Sequence, residues 1–154
     1  MKGSARRALG ITKFEMKTAL IIGAGGLGCP VALSLAEGGV DHLVLVDPDE
    51  VSLSNLHRQL LYTNDDLGLS KVEVAKARLE LRVPGLEVSA VRERFSSVNA
   101  ERLLEGVDVV IDATDDPAVR FEINDRAFSR NIPVVFGGIL GFRGLVLAVS
   151  GDQR

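Results

Sequence analysis

The chain has little of the chemistry that builds covalent or metal-bridged frameworks. Among its 154 residues there is one cysteine, Cys29, and there are two histidines, His42 and His57. A single cysteine excludes an internal disulfide and a zinc site built from cysteine pairs. This composition favours a reducing, cytoplasmic location and predicts no zinc site. We interpret Cys29 as a small buried residue at the start of a helix.

Long hydrophobic runs and a strong excess of charge are also missing. No apolar run approaches the roughly 18 residues of a membrane span, and no signal peptide is expected. The net charge of -3 does not indicate nucleic acid or an anionic membrane as a partner. Basic residues concentrate in residues 1–17, which we predict to be either a solvated tail or a functional arm. One domain is predicted over residues 18–154.

Short apolar runs of strand length alternate with helical patterns. Such runs, typical of strands covered on both faces, occur at residues 18–23, 42–47, 86–91, 107–113 and 133–138. Helices are predicted at residues 27–38, 70–82 and 116–130. The alternation predicts a doubly wound, Rossmann-like α/β fold with a mostly parallel sheet and helices on both faces. A final run at residues 143–150 follows only a short link, which predicts an antiparallel C-terminal strand.

Three of the predicted helix ends carry local signals. The two glycines at 38–39 are typical of a helix C-terminus. Ser70 and Glu73 have the spacing of a capping box at the start of the second predicted helix. Asp116 followed by Pro117 predicts an N-cap and a first helical residue.

A glycine-rich loop lies between the first predicted strand and the first predicted helix. Gly23, Gly25 and Gly28 have the G-x-G-x-x-G spacing, with Gly26 between them, and Asp47 ends the next strand. Glycines let a ligand approach the backbone, the helix N-terminus attracts phosphate, and the aspartate can accept hydrogen bonds from ribose. The pattern predicts an adenine-nucleotide site. A turn needed only for packing is the alternative, and the loop alone does not distinguish NAD, FAD, S-adenosylmethionine and ATP.

Polar and charged residues are dense just after Asp47, in the stretch DPDEVSLSNLHRQ. A carboxylate that attacks an α-phosphate meets a polyanion, and each repulsion between unit charges at 4 Å costs about 4 kcal/mol at an effective dielectric near 20. Hydride transfer needs no such cationic clamp, so the pattern favours ATP over NAD. Arg58 and Lys71 would supply the cations, and Asn55 and Gln59 neutral hydrogen bonds. The alternatives are a surface ion pair for Arg58 and a solvated position for Lys71.

Three aspartates follow the fourth predicted strand. Asp115 lies at the carboxyl end of the sheet, where Mg²⁺ could use one carboxylate together with phosphate oxygens. We interpret Asp112 as a structural group at the strand end and Asp116 as a helix cap. Of the two histidines, His42 is interpreted as structural and His57 as facing a partner.

Four segments resemble the ThiF/MoeB/HesA family, the bacterial relatives of ubiquitin-activating enzymes. They are GAGGLG, VDPDEVSLSNLHRQ, LGLSKVEVAKARL and DATDDPAVR, in the family's order and spacing, over about residues 18–149. The resemblance implies adenylation, with Mg-ATP, of the C-terminal glycine of a small ubiquitin-like sulfur carrier that ends in Gly-Gly. That carrier would serve thiamine or molybdopterin synthesis. A homodimer is also implied, with no nucleic acid or membrane partner.

The resemblance also implies roles for individual residues. Asp47 would bind the ribose, with Asp49 close by. The positions of Asn55, Arg58 and Lys71 correspond to residues that engage the triphosphate, and Asp115 to the magnesium ligand. Arg58, Lys71 and Asp115 are therefore the candidate catalytic residues.

The chain departs from the family's pattern in three places. No clear match exists for the arginine that reaches the neighbouring subunit's ATP, although Arg6 or Arg7 could replace it. Asp116 replaces the family's asparagine. The sequence ends at Arg154, before the crossover segment and the Cys-x-x-Cys pairs of many members. We therefore expect a fragment of a longer enzyme or a short relative. The alternatives are a non-catalytic nucleotide-binding partner module and an NAD-dependent oxidoreductase.

Overall fold

The computed structural model describes residues 16–150, which form a six-stranded sheet. The strands are β1 (Thr18–Ile22), β2 (His42–Val46), β3 (Glu87–Val91), β4 (Val109–Asp112), β5 (Val134–Leu140) and β6 (Arg143–Val149). Their order is β3-β2-β1-β4-β5-β6; the first five are parallel and β6 is antiparallel to β5. This is the Rossmann strand order, and it confirms the predicted fold and the antiparallel last strand. Most of the basic segment, residues 1–15, lies outside the described residues, as do residues 151–154.

Four α-helices connect the parallel strands. They are α1 (Gly28–Gly38), α2 (Lys71–Arg82), α3 (Ser97–Leu103) and α4 (Pro117–Phe128), with short 3-10 turns at Leu53–Asn55 and Asn64–Asp66. The alternation of strands and helices predicts a helix before β4, but the sequence patterns did not locate it. The seven residues of α3 are too few to show a clear helical period. None of these helices in the described part of the chain is both long and apolar enough to cross a membrane.

The core consists of two apolar layers, one on each face of the sheet. Alternate residues of β1 enter different layers: Ala19 and Ile21 lie in one, and Leu20 and Ile22 in the other. Helices α1 and α2 close the first layer, and α3 and α4 close the second. Successive side chains of a strand point to opposite faces of the sheet. Because both faces of this sheet are covered, β1 is apolar on both sides and reads as a continuous apolar run.

The helix ends agree with their sequence signals except at α2. Gly39 ends α1 with φ 96°, and Asp116 Oδ1 accepts a hydrogen bond from Ala118 N at 2.9 Å at the start of α4. The predicted Ser70–Glu73 capping box is wrong, because the Ser70 side chain makes no capping hydrogen bond. The α2 N-terminus is held by backbone instead, since Lys71 N donates to Asp49 O at 3.1 Å.

The β5–β6 hairpin extends beyond the helical layers. Leu145, Val146 and Leu147 of β6 are exposed. These side chains alternate between the two faces of the strand. Within residues 16–150 neither face of β6 is therefore covered at residues 145–147, and only Val149 packs against the second apolar layer.

Two leucines of α2 test the layered core. We expect Leu79→Ala to lower the free energy of unfolding by about 2–5 kcal/mol, because Leu79 is fully buried and its removal leaves a cavity. Leu81→Ala on the same helix is the control, since Leu81 is 84% exposed, and its effect should stay below about 0.5 kcal/mol. Urea unfolding of both variants measures the difference. Equal losses would contradict the assignment of the buried helix face.

Candidate functional site

Three loops meet at the carboxyl edge of the sheet. β1 lies between β2 and β4, and its last residue, Ile22, is in register with Val46 on one side and Asp112 on the other. The glycine loop after β1, the polar loop after β2 and the aspartates after β4 therefore leave the sheet side by side. Open α/β sheets bind ligands at such a point, where the strand order reverses.

Two glycines of the loop are required by the protein's own packing. Gly23 has φ 97°, and a Cβ added there would lie 2.7 Å from Ala113 O. A Cβ at Gly28 would lie 1.8 Å from Gly23 O, so the start of α1 can approach the end of β1 only without a side chain. For these two positions the packing explanation is sufficient.

Gly25 and Gly26 have no such requirement. A Cβ at Gly25 would lie 3.5 Å from Gln59 Nε2, and one at Gly26 would lie 3.4 Å from the Cγ and Cδ atoms of Arg58. Both neighbours are flexible polar side chains, and neither glycine has a positive φ. The fold therefore does not require glycine at these two positions. The absence of side chains there leaves room for a ligand beside Gln59 and Arg58.

The Asp47 carboxylate connects the glycine loop to the loop after β2. It is buried; Oδ2 accepts from Ala24 N at 2.7 Å and Oδ1 accepts from Asp49 N at 2.8 Å. The sequence indicated a ribose ligand here, and the structure adds a supporting role that spacing did not reveal. Each carboxylate oxygen has a second lone pair, so Asp47 can still accept a ribose hydroxyl.

The Ala24 peptide is also held through its carbonyl. Tyr62 Oη donates to Ala24 O at 2.8 Å, and the Cys29 thiol donates to the same oxygen at 3.4 Å. Burial raises the pKa of Tyr62, so its hydroxyl remains a donor, and burial likewise raises the pKa of Cys29. Cys29 is buried as expected. The role of Tyr62 was missed, although a tyrosine in an apolar stretch needs a partner for its hydroxyl.

Lys71 lies inside the site and is not a solvated lysine. Its side chain is 4% exposed, and Nζ is 2.7 Å from Asp49 Oδ2 and 4.0 Å from Asp47 Oδ1. The Asp49 carboxylate, by contrast, is 63% exposed. The ammonium is therefore buried between two carboxylates, of which one faces solvent.

The other polar residues of the loop after β2 differ in how they are held. Arg58 is exposed and forms no ion pair within residues 16–150; its Nη1 donates only a long hydrogen bond, 3.5 Å, to Ser54 O. Asn55 Nδ2 donates to Ser52 Oγ at 2.8 Å. The surface ion pair considered for Arg58 is thus absent from the described chain, and the guanidinium remains available to an anion.

Gln59 is buried, with an unpaired side-chain oxygen. It is 2% exposed, and Oε1 has no hydrogen-bond partner. An unsatisfied buried acceptor costs about 1–3 kcal/mol, so a ligand that supplies a donor would relieve this cost. Nε2 is the amide atom that faces Gly25, so it can donate to a phosphate oxygen at the glycine loop, whereas a ligand hydroxyl or amino group there would meet Oε1 only after the amide rotates by 180°.

The three aspartates at the end of β4 and in the loop that follows it have separate roles. Asp112 is fully buried and hydrogen-bonded, Asp116 caps α4 and pairs with Arg94, and Asp115 is exposed. Within residues 16–150 the Asp115 carboxylate has neither a hydrogen-bond nor an ion-pair partner. Of the three, Asp115 is therefore the one that can bind a ligand directly.

Neither histidine lies among these site contacts. His42 Nε2 is 2.9 Å from Ser89 Oγ, which agrees with a structural role. His57 is exposed beside Arg58. Its interpretation as a residue that faces a partner stays a prediction.

The described residues could supply a metal ion with few protein ligands, so a phosphate ligand would have to supply others. No group of three or more His, Cys, Asp or Glu side chains that could hold a metal ion occurs within residues 16–150. Mg²⁺ does not require such a cage, because it usually binds one or two carboxylates, phosphate oxygens and water. The single unpaired carboxylate of Asp115 fits that requirement.

Strand order and helical layers define an α/β domain of the Rossmann class. The ThiF family profile matches residues 5–154, and the chain belongs to the ThiF family. This confirms the resemblance that the four sequence segments indicated.

Curated relatives are named as adenylyltransferases. The adenylyltransferase and sulfurtransferase MOCS3 of Culex quinquefasciatus is 44% identical over 88% of this chain and 31% of its own length. The sulfur carrier protein adenylyltransferase of Thermus thermophilus is 41% identical over 89% of the chain and 51% of its own length. The sulfur carrier protein ThiS adenylyltransferase of Escherichia coli is 40% identical over 85% and 52%. The chain thus spans about a third to a half of these relatives.

Solved structures share the fold. PaaA matches with a TM-score of 0.83 and 30% identity, over 92% of this chain and 44% of that one. The E. coli MccB structure with ATP matches with a TM-score of 0.84 and 25% identity, over 92% and 43%.

Two glycine substitutions test whether packing requires glycine at position 28 but not at position 26. Gly28→Ala should lower the melting temperature strongly, because its Cβ would overlap the backbone carbonyl of Gly23. Gly26→Ala is the matched control and should leave the melting temperature nearly unchanged, because its Cβ meets only the Arg58 side chain. Circular dichroism melts compare the two variants. A large loss in Gly26→Ala would show that the fold, too, requires that glycine.

Proposed function

We propose that the chain is the adenylating domain of an enzyme that activates the C-terminal glycine of a small ubiquitin-like sulfur carrier with Mg-ATP, in thiamine or molybdopterin cofactor biosynthesis. The observation that carries the proposal is the grouping of Lys71 and Arg58 with the bare backbone of Gly25 and Gly26. The names of the relatives, sulfur carrier protein adenylyltransferases among them, support the same reaction.

In this proposal the nucleotide lies across the glycine loop. Asp47 accepts a ribose hydroxyl, and Gln59 accepts a second hydrogen bond from the nucleoside or donates one to a phosphate. Asn55 donates to the phosphates, and Arg58 spans two phosphate oxygens with its fork of N–H groups. This assigns a ligand to the unpaired Gln59 oxygen and to the unpaired guanidinium of Arg58.

Lys71 has to change partner when the triphosphate binds. Its ammonium is held by Asp49 in this structure, so part of its charge is already balanced. The four-carbon stem of lysine lets Nζ turn from the carboxylate to a phosphate oxygen without movement of the backbone. Exposed Asp49 would then be solvated, and its proximity to the phosphates makes it a source of repulsion that the cations must overcome.

The proposed reaction is the transfer of an adenylyl group from ATP to a carboxylate. A carboxylate oxygen of the carrier's terminal glycine forms a bond to the α-phosphorus, the bond from that phosphorus to the α–β bridging oxygen breaks, and pyrophosphate leaves with the electron pair. Arg58 and Lys71 stabilise the negative charge that accumulates on the phosphate oxygens. Bound through Asp115, Mg²⁺ would supply further charge neutralisation there.

Other elements of the proposal depend on parts outside the described residues. We infer a cytoplasmic homodimer in which Arg6 or Arg7 of one subunit approaches the nucleotide of the other. Both arginines precede residue 16. The carrier would also contact polypeptide that corresponds to the remaining half or more of the relatives.

A second candidate function is a nucleotide-binding module that acts only with a partner subunit. It is favoured by the exposed apolar side chains Leu145, Val146 and Leu147 of strand β6, which a partner could cover. ATP binding by the chain without pyrophosphate exchange on any carrier would select this candidate. Exchange by the chain alone would exclude it.

Pyrophosphate exchange tests the role of Arg58. With a carrier that ends in Gly-Gly, Arg58→Ala should lower the rate of ATP–pyrophosphate exchange by roughly 10²–10³-fold, as the loss of one preorganised donor does elsewhere. Arg102→Ala is the control, because exposed Arg102 pairs with Glu93 on a different part of the surface, and its rate should be unchanged. An unchanged rate in Arg58→Ala would remove Arg58 from the mechanism.

A further inference from the structure

An ion pair between a buried carboxylate and a partly exposed arginine, Asp112 and Arg120, precedes and follows the loop that carries Asp115. Asp112, at the end of β4, is 0% exposed. Its Oδ2 accepts from Arg120 Nε at 2.7 Å, and its Oδ1 accepts from Thr114 N at 2.9 Å and Thr114 Oγ1 at 2.6 Å. Every contact of this carboxylate is therefore to α4 or to the loop after β4.

Arg120 connects three elements through one planar group. Besides Asp112, its guanidinium donates from Nη2 to Thr114 O at 3.2 Å and to Gly137 O of β5 at 2.9 Å. The guanidinium carbon lies 5.9 Å from the centre of the Phe136 ring. A lysine ammonium could not make these bonds in the same plane.

Asp115 is consequently fixed on both sides while its own side chain stays unbound. Thr114, before it, is held through N, O and Oγ1 by Asp112 and Arg120. Asp116, after it, accepts from Ala118 N and pairs with Arg94. The backbone of Asp115 has little freedom, and its carboxylate is left to an external ligand.

We propose that Arg120, acting through Asp112 and Thr114, is a positioning residue that presents Asp115 to the nucleotide-bound Mg²⁺. The inference rests on the proposed function. Groups that hydrogen-bond and orient metal ligands typically change metal affinity or activity about 10–100-fold when they are removed. Arg120 has no direct contact with the ligand in this account.

A purely structural ion pair would behave differently. Replacement of a buried pair by neutral groups is often neutral for stability, whereas removal of one partner leaves an unpaired charge and is destabilising. Stability and the response to Mg²⁺ can therefore be separated by comparing Arg120→Met with the double variant Asp112→Asn/Arg120→Met. Both variants lack the hydrogen bonds that Arg120 donates to Asp112, Thr114 and Gly137, but only the single variant leaves the buried Asp112 carboxylate without its cation.

The experiment measures fluorescent-ATP binding by the 154-residue chain with Mg²⁺ and with EDTA. In wild type, Mg²⁺ should tighten ATP binding. The Asp115→Ala variant shows how much Mg²⁺ tightens ATP binding when the carboxylate that would bind the metal is absent. Arg120→Met and the double variant should lose about tenfold of the Mg²⁺ response, or fall to the Asp115→Ala level. The double variant should melt above Arg120→Met. Arg126→Met, an exposed arginine of the same helix, should respond like wild type.

Hydrogen exchange gives a readout without nucleotide. Peptides covering residues 113–116 should exchange faster in both variants than in wild type, because Arg120 no longer holds Asp112, which accepts from Thr114 N, or the Thr114 carbonyl. Wild-type protection in these peptides, or a wild-type Mg²⁺ response in the double variant, would overturn the inference alone. A wild-type chain that binds ATP equally with Mg²⁺ and EDTA would overturn the metal assignment, and this inference with it.

Discussion

The site depends on one buried carboxylate at the end of β2. Asp47 accepts the backbone N–H groups of Ala24 and Asp49, so it joins the glycine loop to the polar loop that follows β2. The carbonyl of Ala24 is held by Tyr62, which comes from the same polar loop. The glycine loop is thus fixed before any ligand arrives, and the absence of side chains at Gly25 and Gly26 leaves space beside Gln59 and Arg58. An unfixed loop would have to lose conformational entropy at the moment of binding.

The charged groups around this loop differ in burial and in pairing. Lys71 is buried and partly neutralised by Asp49, Arg58 is exposed without an ion-pair partner within residues 16–150, and Gln59 contributes an unpaired oxygen. Together these groups suit a ligand with a polyanionic tail and a hydroxyl-bearing sugar. In the proposed function the two cations would act differently: Arg58 would bind a phosphate without rearrangement, whereas Lys71 would exchange the Asp49 carboxylate for a phosphate.

Most of the fold could be predicted from local sequence, and the supporting contacts of the site could not. Apolar runs and the glycine spacing are local patterns, so the parallel strands and the nucleotide loop follow directly from them. The capping box at Ser70 failed: Ser70 Oγ is buried and has no hydrogen-bond partner within residues 16–150, and the α2 N-terminus is held at Lys71 N by the Asp49 carbonyl, a contact that the local spacing does not show. The roles of Tyr62 and Arg120 depend on contacts between elements that only the fold brings together. Their neighbours in sequence gave no sign of these partners.

The most direct test of the account is calorimetric titration of the 154-residue chain with Mg-ATP and, separately, with NAD⁺. The central claim is that the cations beside Asp47 select a triphosphate over a dinucleotide. We expect saturable Mg-ATP binding at one site per chain, weakened by Arg58→Ala, and much weaker binding of NAD⁺. Tight NAD⁺ binding with no measurable affinity for ATP would contradict the claim and would favour an oxidoreductase.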